Sequence, residues 1–160
     1  QTSGVVSEFW AGLGAQPLNI GWGVLYDALK NNEVDSAEND YTNLMLKEHH
    51  KTGNGKYICE THHDYTTRLF IINGEFYDSL TGEQKNWVDT AALAATLEER
   101  AVTYDMMDSS KAQCMLEGAV VTEFEKMDIA SFKEQAVVIQ DTYAEENGLK
   151  SYLEMIRSAK

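Results

Sequence analysis

Few side chains in this 160-residue chain are suited to chemistry, and their spacing narrows what they can do. The histidines come as two adjacent pairs, His49-His50 and His62-His63. Neighbouring residues on a helix or strand point in different directions, so each pair offers about one imidazole to a given face. Two imidazoles with an unassigned third ligand make a thin zinc site. One reading carried forward is therefore a small metal-dependent enzyme using His62 or His63, and the plainer one is surface or hydrogen-bonded histidines. The acidic stretch Asp35-Ser36-Ala37-Glu38-Asn39-Asp40 lacks the central glycine and terminal glutamate of a calcium loop. Cys59 and Cys114 share no metal-type spacing and read as two buried thiols, with a single disulfide as the lesser alternative. No glycine-rich phosphate loop and no G-x-S-x-G elbow is present.

The elements that must position these side chains read as alternating short strands and helices. Val5, Val6, Phe9, Trp10 and Leu13 recur at helical spacing, and Gly14 supplies a stop. Pro17 to Ile20 and Glu33 to Asp35 read as short strands, and Trp22, Leu25, Tyr26 and Leu29 mark a helix between them. A helix is expected from Tyr41 to about Lys51, and a turn at Gly53 to Gly55. Tyr57 to Glu60 and Leu69 to Ile72 read as strands, the second as an apolar run of the kind buried on both faces.

Thr81 with Gln84 forms a capping-box signature. It opens a long helix from Glu83 to Met115 with an apolar stripe at Val88, Ala91, Ala95, Val102 and Met106. That helix is longer than a compact domain of this size requires. Gly118 to Phe124 is a further strand, and two helices, about 130–146 and 149–158, follow on either side of Asn147-Gly148. The alternation predicts an α/β fold with a parallel or mixed sheet.

Composition limits the partners. The net charge is −13, with 26 Asp and Glu against 13 Lys and Arg. A nucleic-acid or anionic-membrane surface needs clustered cations, so neither is expected. Hydrophobic residues are 43% and charged residues 24%, enough for a packed core. Gln1-Thr2-Ser3-Gly4 carries neither the basic nor the apolar region of a signal peptide, as in a mature or truncated chain.

A linear series of short motifs is more telling than any one residue. It runs Gln1-Thr2-Ser3, Gly14-Ala15-Gln16-Pro17, Gly21-Trp22-Gly23-Val24-Leu25-Tyr26-Asp27-Ala28-Leu29 and Asn32 to Asn39. Much later come Phe76 to Gln84 and Ser131-Phe132-Lys133-Glu134. In order and spacing this series resembles the solute-binding subunit of tripartite ATP-independent periplasmic (TRAP) transporters, over essentially all 160 residues. Departures from the family pattern are Ser36 for a glycine, Asp40 for a proline or asparagine, Val24 for an acidic residue, and a short insertion at Thr52-Gly53-Asn54-Gly55.

The resemblance implies a periplasmic-binding-protein-like α/β lobe, a mixed sheet flanked by helices with one long scaffold helix. It implies that residues 1–160 correspond to the C-terminal half of a two-lobe protein. The ligand lobe would span about 1–75, and the long helix and C-terminal helices about 81–160. It places the substrate-anchoring arginine just before Gln1, and the N-terminal lobe, with any signal or lipid anchor, upstream of it.

The residues it brings to the ligand are Gln1, Ser3, Trp22, Glu38, Asn39, His63, Thr66 and Arg68. Asn39 would offer amide donors and a carbonyl, and Trp22 a flat face against a sugar ring. Arg68 would either neutralise a ligand carboxylate or pair with Glu60. Gln1, Ser3 and the Ala37-Glu38-Asn39 turn suit a polyhydroxylated acid, which needs several neutral polar partners.

The function expected is extracytoplasmic capture of a small organic acid by a monomer without metal or cofactor, and its delivery to TRAP membrane subunits. A uronate or aldonate is the preferred ligand class, with a C4-dicarboxylate or other carboxylate next. No catalysis is expected. The rivals from other classes are the metal-dependent enzyme and a structural interaction domain.

Overall fold

The computed structural model describes residues 4–159. Among them the order is α1 (Val5–Gly12), α2 (Leu25–Lys30), α3 (Tyr41–Leu46), β1 (Tyr57–Cys59), α4 (Gly74–Ser79), α5 (Gly82–Leu116), β2 (Val120–Thr122), α6 (Ile129–Glu146) and α7 (Lys150–Ser158). Short 3-10 turns lie at Trp22–Val24, His49–Lys51 and Phe124–Lys126.

Local signals set the long helix. The Thr81 side chain accepts from the Gln84 N–H, and the Gln84 side chain accepts from the Thr81 N–H at 2.9 Å, so the expected capping box forms. At ~1.5 Å per residue, the 35 residues of α5 reach ~52 Å. Asn73 caps α4 in the same way, accepting from the Phe76 N–H at 2.9 Å. Gly148, at φ 67, separates α6 from α7 with a left-handed residue that glycine adopts without strain.

Strands β1 and β2 run parallel, with Tyr57 opposite Val120, Ile58 opposite Val121 and Cys59 opposite Thr122. The Glu60 N–H donates to the Thr122 carbonyl at 3.0 Å and extends the ladder by one bond. Parallel neighbours need a crossover, and α4 and α5 supply it. Helix α3 packs on α5, α1 on α6, and α7 on α6. Leu25, Ala28, Leu29, Cys114, Ala119 and Ala144 are buried, as are the polar side chains of His49, His50, Thr52 and Ser110.

Several expected elements come out differently. Pro17 to Ile20 is irregular and Glu33 to Asp35 forms a bend, because neither finds a strand to pair with among the described residues. Leu69 to Ile72 is likewise no strand. It lies open, with Leu69 and Ile71 each 82% exposed rather than buried on both faces. The helix expected from Tyr41 to Lys51 breaks at Glu48, whose φ is 56, and resumes as a 3-10 turn.

On α5, Ala91, Ala95, Val102 and Met106 are exposed, and the buried positions are Ser110 and Cys114. The packed face is at the C-terminal end of α5, not along its middle. Cys59 is exposed on β1 while Cys114 is buried, and both thiols are free.

The described residues expose 11712 Å². A folded monomer of 18.0 kDa exposes roughly 8,000 Å². Large apolar side chains are among the exposed residues, including Tyr65, Leu69, Phe70 and Ile71, and Trp87, Leu93 and Leu97 along α5. Among the described residues, no helix is long and apolar enough to cross a membrane.

Candidate functional site

Trp22, Glu38, Asn39, Asn43 and Arg68 line one open cleft of about 350 Å³. Four of the five are residues the sequence had nominated. Asn43 is the one it missed. A cleft of this size falls in the lower range of small-ligand sites, ~300–1,000 Å³.

Three local arrangements hold the cleft together. Gly21, extended at φ −60 and ψ 136, delivers Trp22 to the start of a 3-10 turn. That turn runs into α2, which is anchored in the core by Leu25, Ala28 and Leu29. The indole meets the buried His49 ring edge-on at 5.7 Å and 74°, and Lys47 Nζ lies 5.9 Å from the indole ring centroid.

Asn39 Oδ1 accepts from the Asp40 N–H at 3.0 Å, so its Nδ2 donors are uncommitted among the described residues. Asp40 then caps α3, accepting from the Asn43 N–H and from Asn43 Nδ2, each at 2.8 Å. This explains the aspartate at 40: it satisfies a free donor at the helix start and fixes Asn43 with its Oδ1 left as an acceptor. The spacing Asp40-x-x-Asn43 was the signal available for Asn43.

Arg68 enters from the segment after β1, with its Nε 3.9 Å from Glu99 Oε1 on α5. The alternative pairing of Arg68 with Glu60 is not made. Glu60 instead takes Lys111 Nζ at 2.6 Å, the Tyr41 hydroxyl at 2.8 Å and the Phe124 N–H at 3.3 Å. Burial works against the Glu60 charge, but the Lys111, Tyr41 and Phe124 donors outweigh it and hold the carboxyl below its ordinary range.

The remaining nominated residues lie elsewhere. Thr66 is exposed and donates to Asp64 at 3.0 Å, away from the cleft lining. His63 lines a neighbouring cavity of about 340 Å³ with Phe9 and Phe132, and reaches Glu38 from behind at 3.9 Å. Gln1 and Ser3 fall outside the described residues.

The lining combines an indole, two amides, a guanidinium and a carboxylate. These can donate to a carboxylate and exchange hydrogen bonds with hydroxyls. No Ser, Cys, His or Lys is among the five, so the lining lacks the nucleophile–base pair of covalent catalysis. As for the metal reading, His62 stacks on Phe124 at 4.4 Å, and no group of three His, Cys, Asp or Glu able to hold a metal occurs among the described residues.

The chain belongs to the bacterial extracellular solute-binding proteins of family 7, whose family model (DctP) matches residues 1–147. It is 26% identical over 152 residues to the ectoine/5-hydroxyectoine-binding periplasmic protein UehA of Ruegeria pomeroyi, covering 92% of this chain and 43% of that protein. It is 24% identical to the C4-dicarboxylate-binding periplasmic protein DctP of Rhodobacter capsulatus, covering 94% and 45%.

Among solved structures, a TRAP periplasmic solute-binding protein from Roseobacter denitrificans with bound β-D-glucuronate superposes with a TM-score of 0.84. It is 26% identical, with 98% of this chain and 51% of that one covered. A protein of the same description from Xanthobacter autotrophicus Py2, with bound β-D-galacturonate, gives 0.86 at 23% identity, covering 100% and 52%. The chain thus spans about half the length of the relatives it matches. These relatives are binding proteins, and the metal-dependent enzyme finds no support in them.

Proposed function

We infer that this chain is the C-terminal half of a periplasmic TRAP solute-binding protein that captures a sugar acid, with a uronate as the preferred ligand. The observation that carries this reading is the convergence of Trp22, Glu38, Asn39 and Arg68 on one polar cleft. A uronate presents a carboxylate and several hydroxyls, and the polar lining offers partners for both. The structures with bound glucuronate and galacturonate support that class. The C4-dicarboxylate reading remains second, on the likeness to the Rhodobacter protein, whose ligand also carries carboxylates.

In this reading residues of about 1–75 supply the ligand lobe, and about 81–160 supply the scaffold helix and C-terminal helices. The uncovered apolar surface at Tyr65 to Ile71 and along α5 is what a complementary lobe would bury. A guanidinium preceding Gln1 would take the carboxylate in a bidentate grip. Closure of the lobes on the ligand would then present the complex to the membrane subunits. The net charge of −13 disfavours anions at long range, but screening beyond ~8 Å lets a local cationic site suffice for a small acid.

The test is titration calorimetry on the complete gene product with D-galacturonate, D-glucuronate, succinate and ectoine. Saturable binding of a uronate, tighter than succinate or ectoine, is the expected result. Tightest binding by succinate would move the assignment to the dicarboxylate class. No heat and no thermal shift with any of the four would overturn it, because a ligand selective for the native state must raise Tm.

A further inference from the structure

His63 was expected to touch ligand, and the structure gives it a different position. Its ring packs among Phe9, Trp10 and Phe132 on α1 and α6, parallel to Phe9 at 6.3 Å and edge-on to Trp10 at 5.0 Å. Its Nδ1 lies 2.7 Å from Thr61 Oγ1, and its Nε2 is buried without a hydrogen-bond partner, 3.9 Å from Glu38 Oε2. An unprotonated Nε2 would turn a lone pair on that carboxylate. Electrostatics therefore favours the tautomer in which the Thr61 hydroxyl donates to Nδ1 and Nε2 carries the hydrogen.

Glu38 lines the cleft and His63 does not. We propose that His63 is a positioning residue for Glu38, leaving the carboxylate on the cleft side while the ring is neutral and drawing it back from the ligand when the ring is protonated. The inference rests on the reading of the cleft as a sugar-acid site, in which Glu38 accepts from a hydroxyl.

The ring is set to respond in this way. Burial holds the His63 pKa below 6.5, against the opposing pull of Glu38 and Asp64. The titratable and charged side chains facing it are Glu38 from the loop before α3, its neighbours His62 and Asp64, and Lys133 of α6 across the same cavity. The α1 side chains packed on it, Phe9 and Trp10, are uncharged. A proton on His63 turns a loose 3.9 Å approach between partly buried side chains into attraction between full charges, and charge-assisted hydrogen bonds are shorter and stronger. The carboxylate then leaves its ligand hydroxyl unpaired.

The experiment has two arms on the complete gene product. The first follows the His63 ring by NMR through a pH titration without ligand, in the wild type and in Glu38→Gln. Removing the carboxylate's charge should move the His63 midpoint to lower pH, and an unchanged midpoint overturns the pairing whether or not any sugar acid binds. The second measures D-galacturonate affinity above and below the His63 midpoint that the first arm reads, at pH values where a carboxylic acid stays ionised.

Wild-type affinity should fall by roughly three- to tenfold on acidification, the worth of one hydrogen bond. His63→Gln, which keeps an N–H donor but cannot titrate, should show no such fall. His63→Phe, which fills the aromatic slot and cannot titrate, should likewise be flat. Galacturonate binding that is flat or stronger in acid overturns the positioning role and leaves the sugar-acid reading intact. Absence of binding at every pH overturns that reading, and the first arm still decides the pair.

Discussion

The Tyr41 hydroxyl donates to Glu60 Oε1 across 2.8 Å, and this bond ties the helix that follows Asn39 to the segment leaving β1. Glu60 is the hub. Its carboxylate also holds Lys111 on α5 and the Phe124 N–H after β2, so the exits of both strands and two helices meet on one side chain. Tyr41 answers the same contact: burial, then the Glu60 bond and charge, push its phenol well above the ordinary range. Tyr41→Phe removes one donor and leaves two, and should cost about 1 kcal/mol of stability. Glu60→Ala strands three donors and should cost several times as much. Urea denaturation of both variants measures the difference, and equal losses would deny Glu60 its role as the hub.

Asn39 offers a sharper test of the cleft. Its carbonyl is already engaged by the Asp40 N–H, so truncation removes the free amide donors together with one turn contact. Asn39→Ala should weaken binding of D-galacturonate by more than about tenfold, or roughly 1.4 kcal/mol. Asn39→Asp keeps the acceptor but turns the donors into a charge facing an anion, and should bind worse still. Calorimetry at equal pH compares the three proteins. An Asn39→Ala affinity equal to the wild type removes the residue from the site.

What the sequence disclosed follows how local each determinant is. Helix α5 was legible because Thr81 and Gln84 cap each other within one turn. The break between α6 and α7 was legible because Gly148 takes φ 67. Pro17 to Ile20 and Leu69 to Ile72 were not, since a strand exists only when another backbone completes its ladder. The break at Glu48 was hidden for a related reason: a glutamate at φ 56 is a tertiary choice that no local signal announces.

In the cleft, Trp22, Glu38 and Asn39 came from motif order, and Arg68 from its place after β1. His63 was legible as important but not as packed among aromatic rings, because its neighbours Phe9 and Phe132 are distant in sequence. Asn43 was visible only as the partner of Asp40.

Gly55 sits in the tight turn that follows the 3-10 turn His49–Lys51. A methyl group there would overlap the His49 carbonyl oxygen and stand 2.5 Å from Thr52 Oγ1. That hydroxyl donates to the His49 carbonyl at 2.8 Å and accepts from the Gly55 N–H at 3.2 Å. The obstacle is backbone, so it cannot rotate aside. Gly55→Ala should therefore destabilise by about 2–3 kcal/mol. Gly53→Ala, where the added carbon meets nothing within 4 Å, is the control and should cost far less. Equal midpoints for the two variants in thermal unfolding would show the turn relaxing freely.

The His49 ring lies beneath Trp22, 2% exposed, with its Nδ1 lacking a hydrogen-bond partner. Burial, then the charges of Lys47 and His50, keep its pKa below 6.5. The unfolded chain takes up a proton near 6.5 while the native ring refuses it until lower pH, so more protons bind the unfolded state across that interval. Stability is therefore full above 6.5 and declines as the pH falls through the window beneath it. His63, lowered by burial, adds in the same direction. Tm should drop between about pH 7.5 and about pH 5.5, before carboxylates begin to titrate near their ordinary values. His49→Phe keeps an aromatic ring under Trp22 but cannot take a proton, so its Tm should fall less over the same interval. A variant whose Tm falls as steeply as the wild type would mean that His49 is not a source of the acid sensitivity.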